Sequence, residues 1–160
     1  MKRKHISHIG FLLYIVLLVW LVIFKLEPRF WALPQTGRSL NLIPFGALMI
    51  RNGGISLSEI VYNALFFVPL GMYLSFLNVA KKPWQGILVG FAVSIAFEVV
   101  QYVFMIGASD ITDIIMNTIG TAIGVFIGVK LRAKVDAICI ILLAAEIILL
   151  IGYIVLLAAQ

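Results

Sequence analysis

Apolar residues run along this 160-residue chain in five long blocks, from about Ile9 to Phe24, Leu57 to Leu77, Gln85 to Ile106, Ile111 to Val129 and Ala137 to Ala158. A helix crossing a hydrocarbon layer about 30 Å thick needs roughly 20 such residues at about 1.5 Å of rise each. No block alternates apolar with polar as a strand does. Lipid offers no partner to an open backbone, so helices are the spanning structure that fits. The pattern predicts an all-α fold, a polytopic transmembrane helical bundle of about five spans forming one membrane domain over residues 1 to 160. Block 9 to 24 reads as an N-terminal anchor and block 137 to 158 as a C-terminal helix.

Between the first two blocks, residues 25 to 56 are bounded by Pro28 and Pro34 on one side and Asn52-Gly53-Gly54 on the other, all turn formers. Inside lies LNLIPFGALMI, Leu40 to Ile50, half a span in length and broken by Pro44 and Gly46. So short an apolar stretch reads as re-entrant or interfacial, either capping the bundle or facing a ligand.

Composition agrees with the pattern. The chain is 63% apolar and 12% charged with a mean hydropathy of +1.15, where a soluble domain is about a quarter charged. Five spans and their connections leave no room for a separate soluble domain. The segment KLEPRFWALP after the first block lacks a small-x-small cleavage pattern, so that block reads as an uncleaved anchor. Cys139 is the one cysteine, which excludes an intrachain disulfide. With the N-terminus inside, Lys2, Arg3, Lys4, Lys81, Lys82, Lys130, Arg132 and Lys134 all fall in the cytoplasm, leaving Lys25, Arg29, Arg38 and Arg51 of the 12 basic residues outside. That bias sets the N-terminus in the cytoplasm and the C-terminus outside. No nucleic-acid partner is expected.

Charge becomes informative between Glu98 and Gly128. Three of the seven acidic residues, Glu98, Asp110 and Asp113, lie in this interval, and ionisable groups in membrane helices are costly and usually functional. On the fourth block Asp110, Asp113, Asn117, Gly120 and Gly124 follow a three-or-four spacing that makes one stripe, and Glu98 shares a face of the third block with Gln101. Counted from the outer ends, Asn63, Gln101, Glu98 and Asn117 fall in one layer roughly 10 Å deep. The expected product is a polar pocket in the outer leaflet built from Asn63, Glu98, Gln101, Asp110, Asp113 and Asn117. Gly120, Gly124 and Gly128, with Gly86, Gly90 and Ser94 on the third block, form small-residue ridges that let helices pack closely beneath it. Pro69 removes a hydrogen bond inside the second block and frees the Leu65 carbonyl. Glu146, midway along the fifth block, has no basic residue on its own helix. It reads equally as a hydrogen-bonded structural acid or a functional one.

These residues carry a resemblance. Asn41-Leu42-Ile43-Pro44-Phe45, then Asn63 with Phe67, Pro69, Leu70 and Gly71, then Glu98-x-x-Gln101, then Asp110-x-x-Asp113-x-x-x-Asn117-x-x-Gly120-x-x-x-Gly124 resemble the signature of VanZ-like proteins over about residues 40 to 128. The resemblance implies a multi-span protein of the bacterial cell membrane associated with resistance to the glycopeptide teicoplanin, and it adds Asn41 to the pocket. Many members place an arginine shortly before the acidic pair. Ile106-Gly107-Ala108-Ser109 supplies none, which leaves Arg38 or Arg51 as the substitute.

The residues support several mechanisms. The first is binding of an outer-leaflet amphiphile, either a lipid-linked envelope precursor or a lipoglycopeptide, with Arg38 and Arg51 holding an anionic head group and membrane lipids as neighbours. A second is a membrane enzyme, with the carboxylates dividing acid and base roles or holding magnesium or calcium through hard oxygen ligands. No nucleophile stands in a recognised motif, no catalytic residue is assigned, and no cofactor is evident beyond such a cation. A proton-coupled transporter and a structural or regulatory subunit complete the set.

Overall fold

A computed structural model describes residues 2 to 23, 39 to 45, 57 to 79, 81 to 106 and 108 to 158. Arg38, Arg51, Lys25 and Arg29 lie outside these residues, as does the part of the 40 to 50 segment beyond Phe45. Five helices run through the chain: α1 (Lys2–Ile23), α2 (Leu57–Phe76), α3 (Pro83–Phe104), α4 (Ile111–Lys130) and α5 (Val135–Ala158), with a single 3₁₀ turn at Arg132–Lys134 before α5. All five apolar blocks are therefore helical. The first begins earlier than the apolar pattern implies, since Lys2 to His8 are also helical and belong to α1. Helices α3 and α4 are long and apolar enough to cross a membrane, and α1, α2 and α5 contain apolar stretches at Ser7–Ile23, Ile60–Phe76 and Ala137–Tyr153.

The helix ends follow local chemistry. The Gln85 side chain accepts from the backbone N–H groups of Lys81 and Lys82 and so closes the start of α3, where Pro83 occupies a position that needs no donor. Met105 ends α3 in the left-handed region, at φ 58°, and the Ile106 N–H turns back to the Gln101 carbonyl. Asp110 caps α4 by accepting from the Thr112 N–H at 2.7 Å.

One element has no counterpart in the apolar pattern. Strand β1 (Ser39–Asn41) pairs in parallel with β2 (Ala108–Asp110), Leu40 opposite Ser109 and Asn41 opposite Asp110. Three residues on each side are too few to leave a periodic signal. The ladder pins the first loop onto the α3–α4 turn.

Helices α2 and α4 form the most intimate pair. A Cβ placed at Gly120 would overlap the Ala64 carbonyl, one at Gly124 the Val68 carbonyl, and one at Gly128 would crowd Ser75 and Met72. The partners advance in step along both chains, so the two helices run parallel. Gly71 completes the contact from the other side, facing the Thr121 carbonyl. The ridge of glycines on α4 therefore meets α2, while a neighbouring face of α4 meets α3, where Thr121 fills the space above Gly90 and Asn117 reaches Ser94. There the partners move in opposite directions, and α3 and α4 are antiparallel. Phe67, Leu70, Tyr73 and Leu74 of α2 join Leu18 of α1 in the buried core. Helix α5 packs chiefly on α1.

Candidate functional site

The up-and-down course of the chain separates its charges. Lys2, Arg3 and Lys4 open α1, Lys81 and Lys82 precede α3, Lys130 ends α4, and Arg132 and Lys134 follow it, so these positions share one end of the bundle. Glu98, Asp110 and Asp113 lie towards the other.

At that acidic end, Asp110 is the hub. Its Oδ1 caps α4, and its Oδ2 accepts from Asn41 Nδ2 at 3.0 Å. Its backbone N–H donates to Glu98 Oε2 at 2.9 Å. The Ser109 hydroxyl donates to the Glu98 carbonyl at 2.7 Å, so side chain and backbone of one α3 residue both hold the strand that leads into α4. Asn41 Oδ1 in turn accepts from the Ile43 N–H, an Asx turn that directs the loop onwards. Two residues later the Phe45 N–H donates to the Thr112 hydroxyl at 2.8 Å, while Phe45 itself sits at φ 61°. A bulky residue in the left-handed region is uncommon and needs surrounding contacts to hold it.

A second polar link lies beside the first. Asn63 of α2 donates through Nδ2 to Asp113 Oδ1 on α4. Both residues are partly exposed, whereas Glu98 is 5% exposed. One turn deeper on α4, Asn117 donates to the Ser94 hydroxyl at 2.9 Å, and its Oδ1 is buried with no partner among the described residues. Gln101 faces elsewhere, donating to the Val22 carbonyl of α1 at 2.9 Å with its Oε1 likewise buried and bare.

The residues singled out from the sequence thus fall into three groups. Asn41, Glu98 and Asp110 form one connected network, Asn63 and Asp113 a second, and Asn117 and Gln101 make separate interhelical links. Ser94, Ser109 and Thr112 complete these links, although the sequence pattern does not mark them as polar partners. Thr112 stands two residues after a helix-capping Asp, which marks its backbone N–H as the cap donor but not its hydroxyl as the acceptor for Phe45. Ser109 has no such signal, because its acceptor is a backbone carbonyl. No group of three or more His, Cys, Asp or Glu side chains suited to a metal ion occurs among the described residues. Beside the polar network, Leu40, Leu42 and Ile43 of the first loop are well exposed, Ile43 at 70%.

Helical bundle, acidic end and clipped apolar loop define the class: an α-helical protein with helices fit to cross a membrane and a polar cluster at one end of them. The family model described as VanZ/LLP1 matches residues 11–132. Among curated proteins, Protein VanZ of Enterococcus faecium is 41% identical over 124 residues, covering 74% of this chain and 68% of that protein. No solved structure matches the chain. The chain belongs to the VanZ/LLP1 family.

Proposed function

We propose that this protein is a multi-pass membrane protein of the bacterial envelope that binds an outer-leaflet amphiphile at its acidic end and thereby contributes to glycopeptide resistance, teicoplanin being the antibiotic to test. The observation that carries the reading is the juxtaposition of two chemistries. The partly exposed Asn63–Asp113 pair offers polar groups. The adjoining loop, held by Asn41–Asp110 and Phe45–Thr112, presents Leu42 and Ile43 outward. An amphiphile matches both, its head group meeting the polar pair and its apolar part the loop.

The membrane setting is supported by apolar side chains that face away from the bundle, among them Val99, Val103 and Phe104 on α3 and Ile141, Ile148 and Leu149 on α5. Contiguous exposed apolar surface of this kind is what lipid-facing or partner-facing sides of a protein present. The positions of the basic residues agree with a cytoplasmic N-terminus and an extracytoplasmic acidic end.

Asp113 is the residue to test, because its side chain links α4 to α2 through Asn63 at a partly exposed position. Asp113→Ala and Asn63→Ala should each lower teicoplanin resistance in a sensitive host while the amount of protein in the membrane stays normal. Unchanged resistance in both variants at normal protein level would overturn the reading. A membrane enzyme would instead lose function in Asp113→Asn as completely as in Asp113→Ala. A binding site that uses Asp113 as an acceptor keeps part of it in the Asn variant.

A further inference from the structure

A second polar site lies outside the acidic end, between α1, α2 and α5. Glu146 of α5 is 6% exposed, and its Oε1 accepts from the Tyr73 hydroxyl of α2 at 3.1 Å. Its Oε2 is buried and has no partner among the described residues. Tyr73 is itself fully buried, its ring 5.7 Å from those of Phe11 and Tyr14 on α1. A Cβ at Gly10 would press on the Tyr73 hydroxyl, so α1 holds the phenol in place. The Tyr14 hydroxyl is committed elsewhere, donating to the Phe66 carbonyl at 2.7 Å. Among the described residues, the titratable groups that act on Glu146 are Tyr73 from α2 and Tyr14 from α1, with Cys139 of α5 acting on Tyr73 in turn, and none of the three is a cation near neutral pH.

That arrangement asks for a ligand. A carboxylate with one neutral donor and no basic partner among the described residues, inside an apolar bundle, is a charge without compensation. A donor placed at the bare Oε2 removes the difficulty, and the smallest donor that fits a closed seam is a proton. We propose that Glu146 is an exchangeable proton-binding site in the seam between α5 and the rest of the bundle. The site is independent of the acidic end. Glu146 lies beyond the family-matched residues 11–132 while Tyr73 lies within them, so the proton is bound where the C-terminal helix meets the family core. Taking up a proton makes Oε2 an O–H and leaves Oε1 to accept from Tyr73. Losing it leaves a buried anion that weakens the docking of α5.

Infrared difference spectra of the full chain in lipid, wild type minus Glu146→Gln, test this directly. A carboxylic-acid C=O band should be present near neutral pH and be lost reversibly to carboxylate bands at alkaline pH. In Tyr73→Phe the same band should persist and move to higher frequency, since the hydrogen bond that lowers it is gone. A merely structural acid would give that shift too, but not the reversible exchange of acid for carboxylate bands with pH. Carboxylate bands alone at neutral pH would overturn the proposal, as would an acid band that never titrates. If Glu146→Gln fails to fold, the pH dependence of the band in the wild type and its shift in Tyr73→Phe decide the question alone.

Discussion

Individual side chains divide the acidic cluster into architecture and chemistry. Asp110 spends both carboxylate oxygens and its N–H on the fold, capping α4, holding Asn41 and meeting Glu98. Asp110→Ala should therefore destabilise the protein by about 1–2 kcal/mol through the lost cap alone, read as a lower unfolding midpoint in detergent. Glu98 acts on the same strand as an acceptor, and Gln offers an oxygen of the same reach. Glu98→Gln should keep the unfolding midpoint close to wild type, whereas Glu98→Ala should lower it by removing the partner of a part-buried N–H. The sequence marks all of these residues because polar groups stand out in an apolar chain. It does not rank them, since whether a carboxylate caps, clips or faces outward depends on the partner at its oxygen. One partner of Asp110 is Asn41, far away in the chain.

Among the elements, the α2–α4 contact governs how closely the bundle can close. Gly124 faces the Val68 carbonyl with no room for a methyl group, so Gly124→Ala forces the helices apart. Overpacking of this kind costs about 1–3 kcal/mol, and the variant should show a lower unfolding midpoint or a loss of monodisperse protein. Gly152 on α5 has nothing within 4 Å of its Cβ position, so Gly152→Ala should be neutral or slightly stabilising in the same assay. The spacing of Gly120, Gly124 and Gly128 marks a packing ridge in the amino-acid sequence itself. That α2 is its partner is not legible there, because a G-x-x-x-G repeat names a face and not the helix that meets it. The β1–β2 clip and the Tyr73–Glu146 bond are hidden for the same reason, each joining residues distant in sequence.

For the whole molecule, the distribution of charge makes an orientation testable. In intact cells, a membrane-impermeant thiol reagent should modify Leu42→Cys and leave Arg132→Cys untouched until the membrane is opened. Native Cys139 is buried and adds little background. The reverse labelling pattern would place the acidic end in the cytoplasm. Helix content, the approximate extent of four of the five helices and the identity of the polar positions were all determined by the sequence alone. These follow from local quantities: apolar run length, helical spacing and the cost of a polar group in an apolar segment. Tertiary structure decided which polar groups meet. It joined Asn41 to Asp110 and Asn63 to Asp113, turned Gln101 towards α1, set the glycines of α4 against α2, and placed Glu146 beside Tyr73. A hydrogen bond or a close helix contact needs two surfaces at once, and only the folded chain brings the second one.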